Sequence, residues 1–226
     1  MKKILSTLAL SSLVLLSTGC SDFLEEENHS NVMQDFMSTP SGFGMALNSV
    51  YANVRSTYSA EEGIHGLMNP GTDELKNNIS GSNRCADIAN YDLEKYNANN
   101  EYPRKLWNDA YIHINTLNYM IENAAKVDVS TTALTAAQRD QYLGEAYFMR
   151  AYNYFHLVEQ FGDVTLTTTY NATPSTSAER HDMVRVYEEV IIPDLLNAIK
   201  LCSPSPQLNN LESGRASAAA ARHLLS

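Results

Sequence analysis

The residue types best suited to recognising a ligand gather between Ser56 and Tyr102. Asp73, Asn77, Asn78, Arg84 and Asn90 can hydrogen-bond hydroxyl groups in pairs. Tyr91, Tyr96 and Tyr102 lie among them without the 3–4 spacing of a packed helix face. Each tyrosine has an apolar ring and a polar tip, so these three either line a ligand platform or pin the segment to the protein. Asp73 and Glu74 are adjacent carboxylates; glycoside hydrolysis needs two carboxyls flanking the scissile bond, and neighbouring loop acids are also ordinary surface chemistry. No Gly-x-Ser-x-Gly elbow, glycine-rich phosphate loop or His-Glu-x-x-His run occurs. The six histidines (His29, His65, His113, His156, His181, His223) are scattered. His113 and His156 fall within helical patterns and are expected to be packed rather than metal-bound. These residues describe a binding protein with no catalytic group, metal or cofactor, not an enzyme.

The elements that must position this segment are helices. Pro40 follows Thr39 at a first-turn position, where its missing N–H costs nothing, and Phe43, Leu47, Val50, Tyr51 and Val54 then recur on one face. From Ser56 the periodicity dissolves into Gly63, Gly66, Pro70, Gly71, Gly81 and many Asn, an irregular stretch of the kind that often carries function. Pro103 opens a second helix with the stripe Leu106, Trp107, Ala110, Tyr111, Ile114, Leu117 and Ile121. Trp107 can stack on a sugar ring, but its place in the stripe fits core packing better.

Thr135-Ala136-Ala137-Gln138 has the capping-box form and starts the clearest helix, which ends at Phe161 before Gly162. Its expected apolar face is Tyr142, Leu143, Ala146, Met149, Tyr154, Leu157, Val158 and Phe161. Val164 to Tyr170 reads as a short strand or extended segment. Asp182 caps a helix bearing Tyr187, Val190, Ile191, Leu195 and Ile199, with a kink expected at Pro193. Gly214-Arg215-Ala216-Ser217 introduces an alanine-rich helix that is still in pattern at Ser226, as in a chain cut short of its next helix. The fold class is mostly α, with tetratricopeptide-like helical hairpins and long irregular loops. Leu143-Gly144-Glu145-Ala146-Tyr147 fits the Leu-Gly-x-x-Tyr part of that repeat.

Of 226 residues, 44% are hydrophobic, enough for a sizeable core; 16 Lys and Arg against 26 Asp and Glu give a net charge of −10. An acidic chain without a basic run is poorly suited to a polyanion, so nucleic acid is excluded as a partner. Met1-Lys2-Lys3 and the apolar run from Ile4 to Leu16 form a secretory leader, too short to remain as a membrane span. Ser17-Thr18-Gly19-Cys20 resembles the lipobox of bacterial lipoproteins, with Ser17 where Leu is usual. That resemblance implies cleavage after residue 19 and acylation of Cys20; ordinary signal cleavage, with Cys20 a plain thiol, is the alternative. Residues 20–37, with Asp22, Glu25, Glu26 and Glu27, read as an acidic tether, and 38–226 as the helical domain. Export permits a disulfide between Cys85 and Cys202, although two unpaired thiols suit this spacing better.

Five stretches in order carry a further resemblance. They are Cys20-Ser21-Asp22-Phe23-Leu24-Glu25; Leu106-Trp107-Asn108-Asp109-Ala110-Tyr111 with Ile114, Asn115 and Asn118; and Gly144-Glu145-Ala146 through Arg150-Ala151 to Phe161-Gly162-Asp163-Val164. Then come Val186-Tyr187-Glu188-Glu189 through Pro193-Asp194-Leu195, and Gly214-Arg215-Ala216-Ser217. Together they resemble the N-terminal half of the starch-utilisation nutrient-binding lipoproteins of the Bacteroidetes (SusD/RagB-like).

The resemblance implies a tetratricopeptide-like scaffold lipid-anchored through Cys20 in the outer membrane, facing the cell surface. Its implied partners are an oligosaccharide or other nutrient and a TonB-dependent (SusC-like) transporter that takes up the ligand. It also implies that the acidic stretch after Cys20 is a surface-export signal. In such proteins Arg150 would pair with an acid of a neighbouring helix and fix its register. Ligand contacts in the family come from variable loops, partly in its C-terminal portion; in this chain the candidates are those read above from their side chains, Asp73, Asn77, Asn78, Arg84, Tyr91, Tyr96 and Tyr102. The competing reading is a helical-repeat surface adaptor that binds protein partners and has no sugar site.

Overall fold

The computed structural model describes residues 34–58, 72–73, 101–130, 132–173, 177–205 and 214–226. The leader, Cys20 and most of the Ser56–Tyr102 segment lie outside them. The described part, within the unit Gln34–Ser226, is mostly helical. Residues 34–37, assigned to the tether on sequence, instead form a helical turn. Met37 is buried there, and Gln34 donates to the Tyr170 hydroxyl at 3.2 Å. The apolar side chain at position 37 supplies the reason, because it joins a core cluster and draws the turn in with it.

α1 (Pro40–Thr57) begins at the expected proline, with Thr39 Oγ1 accepting from the Gly42 N–H at 3.0 Å. α2 (Glu101–Asn123) runs into a 3₁₀ turn, Ala124–Lys126. α3 (Ala136–Phe161) has both halves of the capping box: Thr135 Oγ1 accepts from Gln138 N at 3.2 Å, and Gln138 Oε1 accepts from Thr135 N at 2.9 Å. It stops at Gly162, whose φ of +68° few other residues tolerate. β1 (Val164–Thr165) pairs antiparallel with β2 (Arg180–His181), Val164 opposite His181 and Thr165 opposite Arg180.

α4 (Met183–Val186), capped by Asp182, passes through a π turn at Tyr187–Ile191 into α5 (Ile192–Leu201). The expected disturbance at Pro193 takes this form. The proline has no N–H for the ladder and its ring crowds the carbonyl four residues back, so the helix widens just before it. α6 (Ala218–Leu225) is capped by Ser217.

α2 and α3 form an antiparallel hairpin. Ala110 and Ile114 near the start of α2 share a cluster with Tyr154, Leu157 and Val158 near the end of α3, whereas Leu117 and Met120 meet Ala146 and Met149. Phe43, Leu47 and Val50 of α1 close the second cluster; Val190, Ile191, Leu195 and Ala198, with Ala218 and Ala221 of α6, close the first. Met120 is fully buried on α2, while Ile121, placed on the stripe from sequence, is only half-buried. α3 and α5 approach so closely that a Cβ on Gly144 would lie 2.8 Å from both Cys202 Sγ and Leu201 Cβ. This is the physical role of glycine in the Leu-Gly-x-x-Tyr fragment. Cys202 is a free, buried thiol whose pKa burial pushes up to about 12, and Cys85 lies outside the described residues.

Candidate functional site

Helix packing of this kind leaves polar side chains in the interior, and they are satisfied in two clusters. Arg150 of α3 makes a bidentate ion pair with Asp194 of α5, Nε to Oδ2 at 2.7 Å and Nη2 to Oδ1 at 2.8 Å. Its Nη1 donates to Asn118 Oδ1 at 2.8 Å, so α2, α3 and α5 meet at one guanidinium. The expected register-fixing pair is therefore present, with Asp194 as the acid. The second cluster surrounds Glu145, whose carboxylate is fully buried. Tyr51 Oη donates to Oε2 at 2.7 Å, Gln141 Nε2 to Oε1 at 2.8 Å, and Arg215 Nε lies 3.0 Å from Oε2. Arg215 also stacks over the Tyr51 and Tyr142 rings, and Tyr51 Oη accepts from Ala216 N at 2.8 Å. Burial, and then the Glu145 charge, push the Tyr51 hydroxyl well above its usual range, so it stays a neutral donor. These contacts tie the start of α6 to α1 and α3.

A third set of polar residues holds extended backbone. Tyr111, Asn115, Asn118 and Glu122 follow one face of α2 at spacings of four, three and four. Tyr111 Oη donates to the Thr165 carbonyl at 2.7 Å; Asn118 Nδ2 donates to those of Thr167 and Thr169; Glu122 Oε1 accepts from Tyr170 N at 2.8 Å. Asn115 and Asn171 exchange two bonds, at 3.0 and 2.8 Å. The segment after β1 is thus laid along α2 with its backbone groups paired.

Beside this stripe lies an open cleft of about 930 Å³. Its α2 wall is Trp107, Asn108, Tyr111, Ile112 and Asn115, and its other wall includes Thr165 to Thr167, Asn171 to Thr173, Ser177 to Glu179 and His181. Trp107 is half-buried, braced by Tyr111 with ring centroids 4.9 Å apart and edge-on by Phe161 at 5.1 Å. It therefore packs against the core, as its spacing predicts, while also lining the cleft. Ile112 is 63% exposed, and the Nδ1 of His181 is buried without a hydrogen-bond partner among the described residues. Among those residues no three His, Cys, Asp or Glu side chains converge as a metal site would require, and no helix is long and apolar enough to cross a membrane.

A family model described as "Starch-binding associating with outer membrane" matches residues 22–226. The chain belongs to the SusD-like family. SusD-like protein P2 of Formosa agariphila is 28% identical over 218 residues, which cover 92% of this chain and 40% of that protein. A SusD superfamily protein of Parabacteroides distasonis superposes with a TM-score of 0.59 at 26% identity, over 80% of this chain and 37% of that one. A laminarin-binding SusD-like protein gives 0.63 at 25% identity, over 80% and 38%. The chain thus spans about two fifths of the length of these SusD-like relatives.

In this SusD-like chain six of the family motif residues brace the scaffold: Asn115, Asn118, Glu145, Arg150, Asp194 and Arg215 all bond within the protein. Of the ligand residues expected on sequence, Asn77, Asn78, Arg84, Tyr91 and Tyr96 lie outside the described residues. Asp73 is exposed. Tyr102 lies in the first turn of α2 and is 5% exposed, a placement that suits packing rather than a platform. His113 and His156 are packed, and burial lowers both below the usual histidine range. The cleft residues Asn108, Ile112, Glu179 and His181 were not singled out on sequence. The one available signal was Trp107 with two polar neighbours, Asn108 and Asp109, in a stripe that is otherwise apolar.

Proposed function

We propose that this protein is a surface nutrient-binding lipoprotein that captures oligosaccharides and passes them to a TonB-dependent, SusC-like transporter. Acylation of Cys20 anchors it in the outer membrane, facing the cell surface, and it carries out no catalysis of its own. The observation that carries this reading is the SusD-like match over residues 22–226, described as starch-binding, together with similarity to a laminarin-binding protein. The geometry supports the glycan reading: the open cleft presents aromatic, amide and hydroxyl groups of the kind that bind sugars. Asp73, Asn77, Asn78, Arg84, Tyr91 and Tyr96 are proposed as further ligand contacts.

Calorimetric titration of the full-length protein with laminarin and with soluble starch tests the reading. Saturable heat with either glycan is expected. No heat with either, alongside co-purification of a protein partner other than a transporter, would overturn it in favour of a surface adaptor. Anchoring is checked separately: Cys20→Ala expressed in the native host should move the protein from the detergent phase to the soluble fraction.

A further inference from the structure

We propose that the cleft between α2 and the β1–β2 segment is a binding subsite for a neutral oligosaccharide. The inference rests on the glycan-binding reading and adds a location and a selectivity to it. At about 930 Å³ the cleft falls within the range of sites that hold a small organic ligand. Its aromatic wall is already in place. Tyr111 and Phe161 brace the Trp107 indole from two sides, so a pyranose stacking there would not have to order the ring first. Tyr111 is fixed in turn by its bond to the Thr165 carbonyl.

The polar groups around the indole suit vicinal hydroxyls. Asn108 and Glu179 are exposed, line the cleft and make no side-chain hydrogen bond among the described residues, so an amide and a carboxylate are available together. His181 lines the same cleft beside them. Charge decides the class of sugar. The cleft lining contains Glu179 and no Lys or Arg, and Arg180, whose charge reaches Tyr111, has its guanidinium bonded to the Asp163 carbonyl, so a neutral glycan is favoured over an anionic one. Ile112, 63% exposed on the same wall, supplies an apolar surface beside the indole for the C–H face of a second sugar unit.

Trp107 is the only tryptophan in the chain, so its fluorescence reports occupancy of this cleft while calorimetry reports binding anywhere. Laminarin, soluble starch and polygalacturonate should be titrated into the full chain in detergent and followed by both signals. The expected result is an emission change that saturates with the heat for a neutral glycan and is absent with polygalacturonate. Ile112→Glu should weaken that binding at least about tenfold, with an unchanged melting temperature. Heat without an emission change, and with the affinity of Ile112→Glu and Glu179→Ala intact, would overturn the cleft while leaving the glycan-binding reading in place. Emission that responds to polygalacturonate as strongly as to laminarin would overturn the stated selectivity. No heat with either neutral glycan would remove the glycan-binding reading and the cleft with it.

Discussion

The interior around Arg150 and Glu145 and the cleft around Trp107 meet at α2 but handle polar groups in opposite ways. Inside, every charge named has a partner within hydrogen-bond distance: Arg150 with Asp194 and Asn118, Glu145 with Tyr51, Gln141 and Arg215. In the cleft, Asn108 and Glu179 face solvent and make no side-chain hydrogen bond among the described residues. Of the residues that identify the family, Glu145, Arg150, Asp194 and Arg215 belong to the first region, and Trp107, Asn108 and Tyr111 line the second. A residue held to one geometry by a buried charge network is constrained by the fold itself, whereas a residue facing solvent is constrained only by its ligand. The family stretch around Trp107 therefore reaches both regions, while the buried ion pairs belong to the first alone.

The sharpest way to break the contrast is to remove one interior partner. Arg150→Met leaves Asp194 buried without its counter-charge and should cost about 3–5 kcal/mol, measured by denaturant unfolding. Loss of less than about 1 kcal/mol would mean that the ion pair does not hold the α3–α5 register. Ala146→Asp, which inserts a charge at a fully buried position in the α1–α2–α3 cluster, should be comparably destabilising. A melting temperature unchanged from the wild type would mean that this face of α3 is not packed.

Smaller effects sharpen it. Thr135→Ala removes the capping box of α3 and should cost about 1 kcal/mol. Acid should act through the packed histidines. Burial depresses His113 and His156 in the folded state, so the unfolded chain takes up protons first as the pH falls. Their contribution is complete above the ordinary histidine pKa and is lost as the pH falls through that value towards the lowered folded-state values. The melting temperature should drop across this window, and the drop should flatten in His156→Phe. Smallest of all, Asn108→Ala should leave stability within about 0.5 kcal/mol of the wild type, because its side chain is exposed and makes no hydrogen bond among the described residues.

How much of this could be read from sequence followed the range of each interaction. The ends of α3 were legible because Thr135 with Gln138, and Gly162, act within a single turn. The same holds for Asp182 and Ser217 as caps. Pro193 announced a disturbance, but whether it would be a kink or a π turn depends on how Val190, Ile191 and Leu195 pack on α3. Arg150 could be read as needing an acid, yet the identity of Asp194 required the antiparallel α3–α5 packing that also brings Gly144 against Cys202. The extent of the tether was misjudged because residues 34–37 have little helical pattern of their own and fold by burying Met37. Of the cleft only Trp107 was legible, as a ring able to stack on a sugar. Its walls come from consecutive turns of α2 and from a segment more than 50 residues further on, joined by Asn115 and Asn171. On sequence, Asn108 and Ile112 look like solvent positions of an ordinary amphipathic helix.

The measurement closest to the centre of this account sets two variants side by side. Laminarin should be titrated into Glu145→Gln and Ile112→Glu at a temperature where both are folded, with a thermal melt of each. The account predicts that Glu145→Gln melts several degrees lower and keeps the wild-type affinity, whereas Ile112→Glu melts as the wild type does and binds at least about tenfold more weakly. The reverse pattern, with affinity lost in Glu145→Gln and retained in Ile112→Glu, would contradict the division between a self-satisfied motif interior and a ligand-facing cleft.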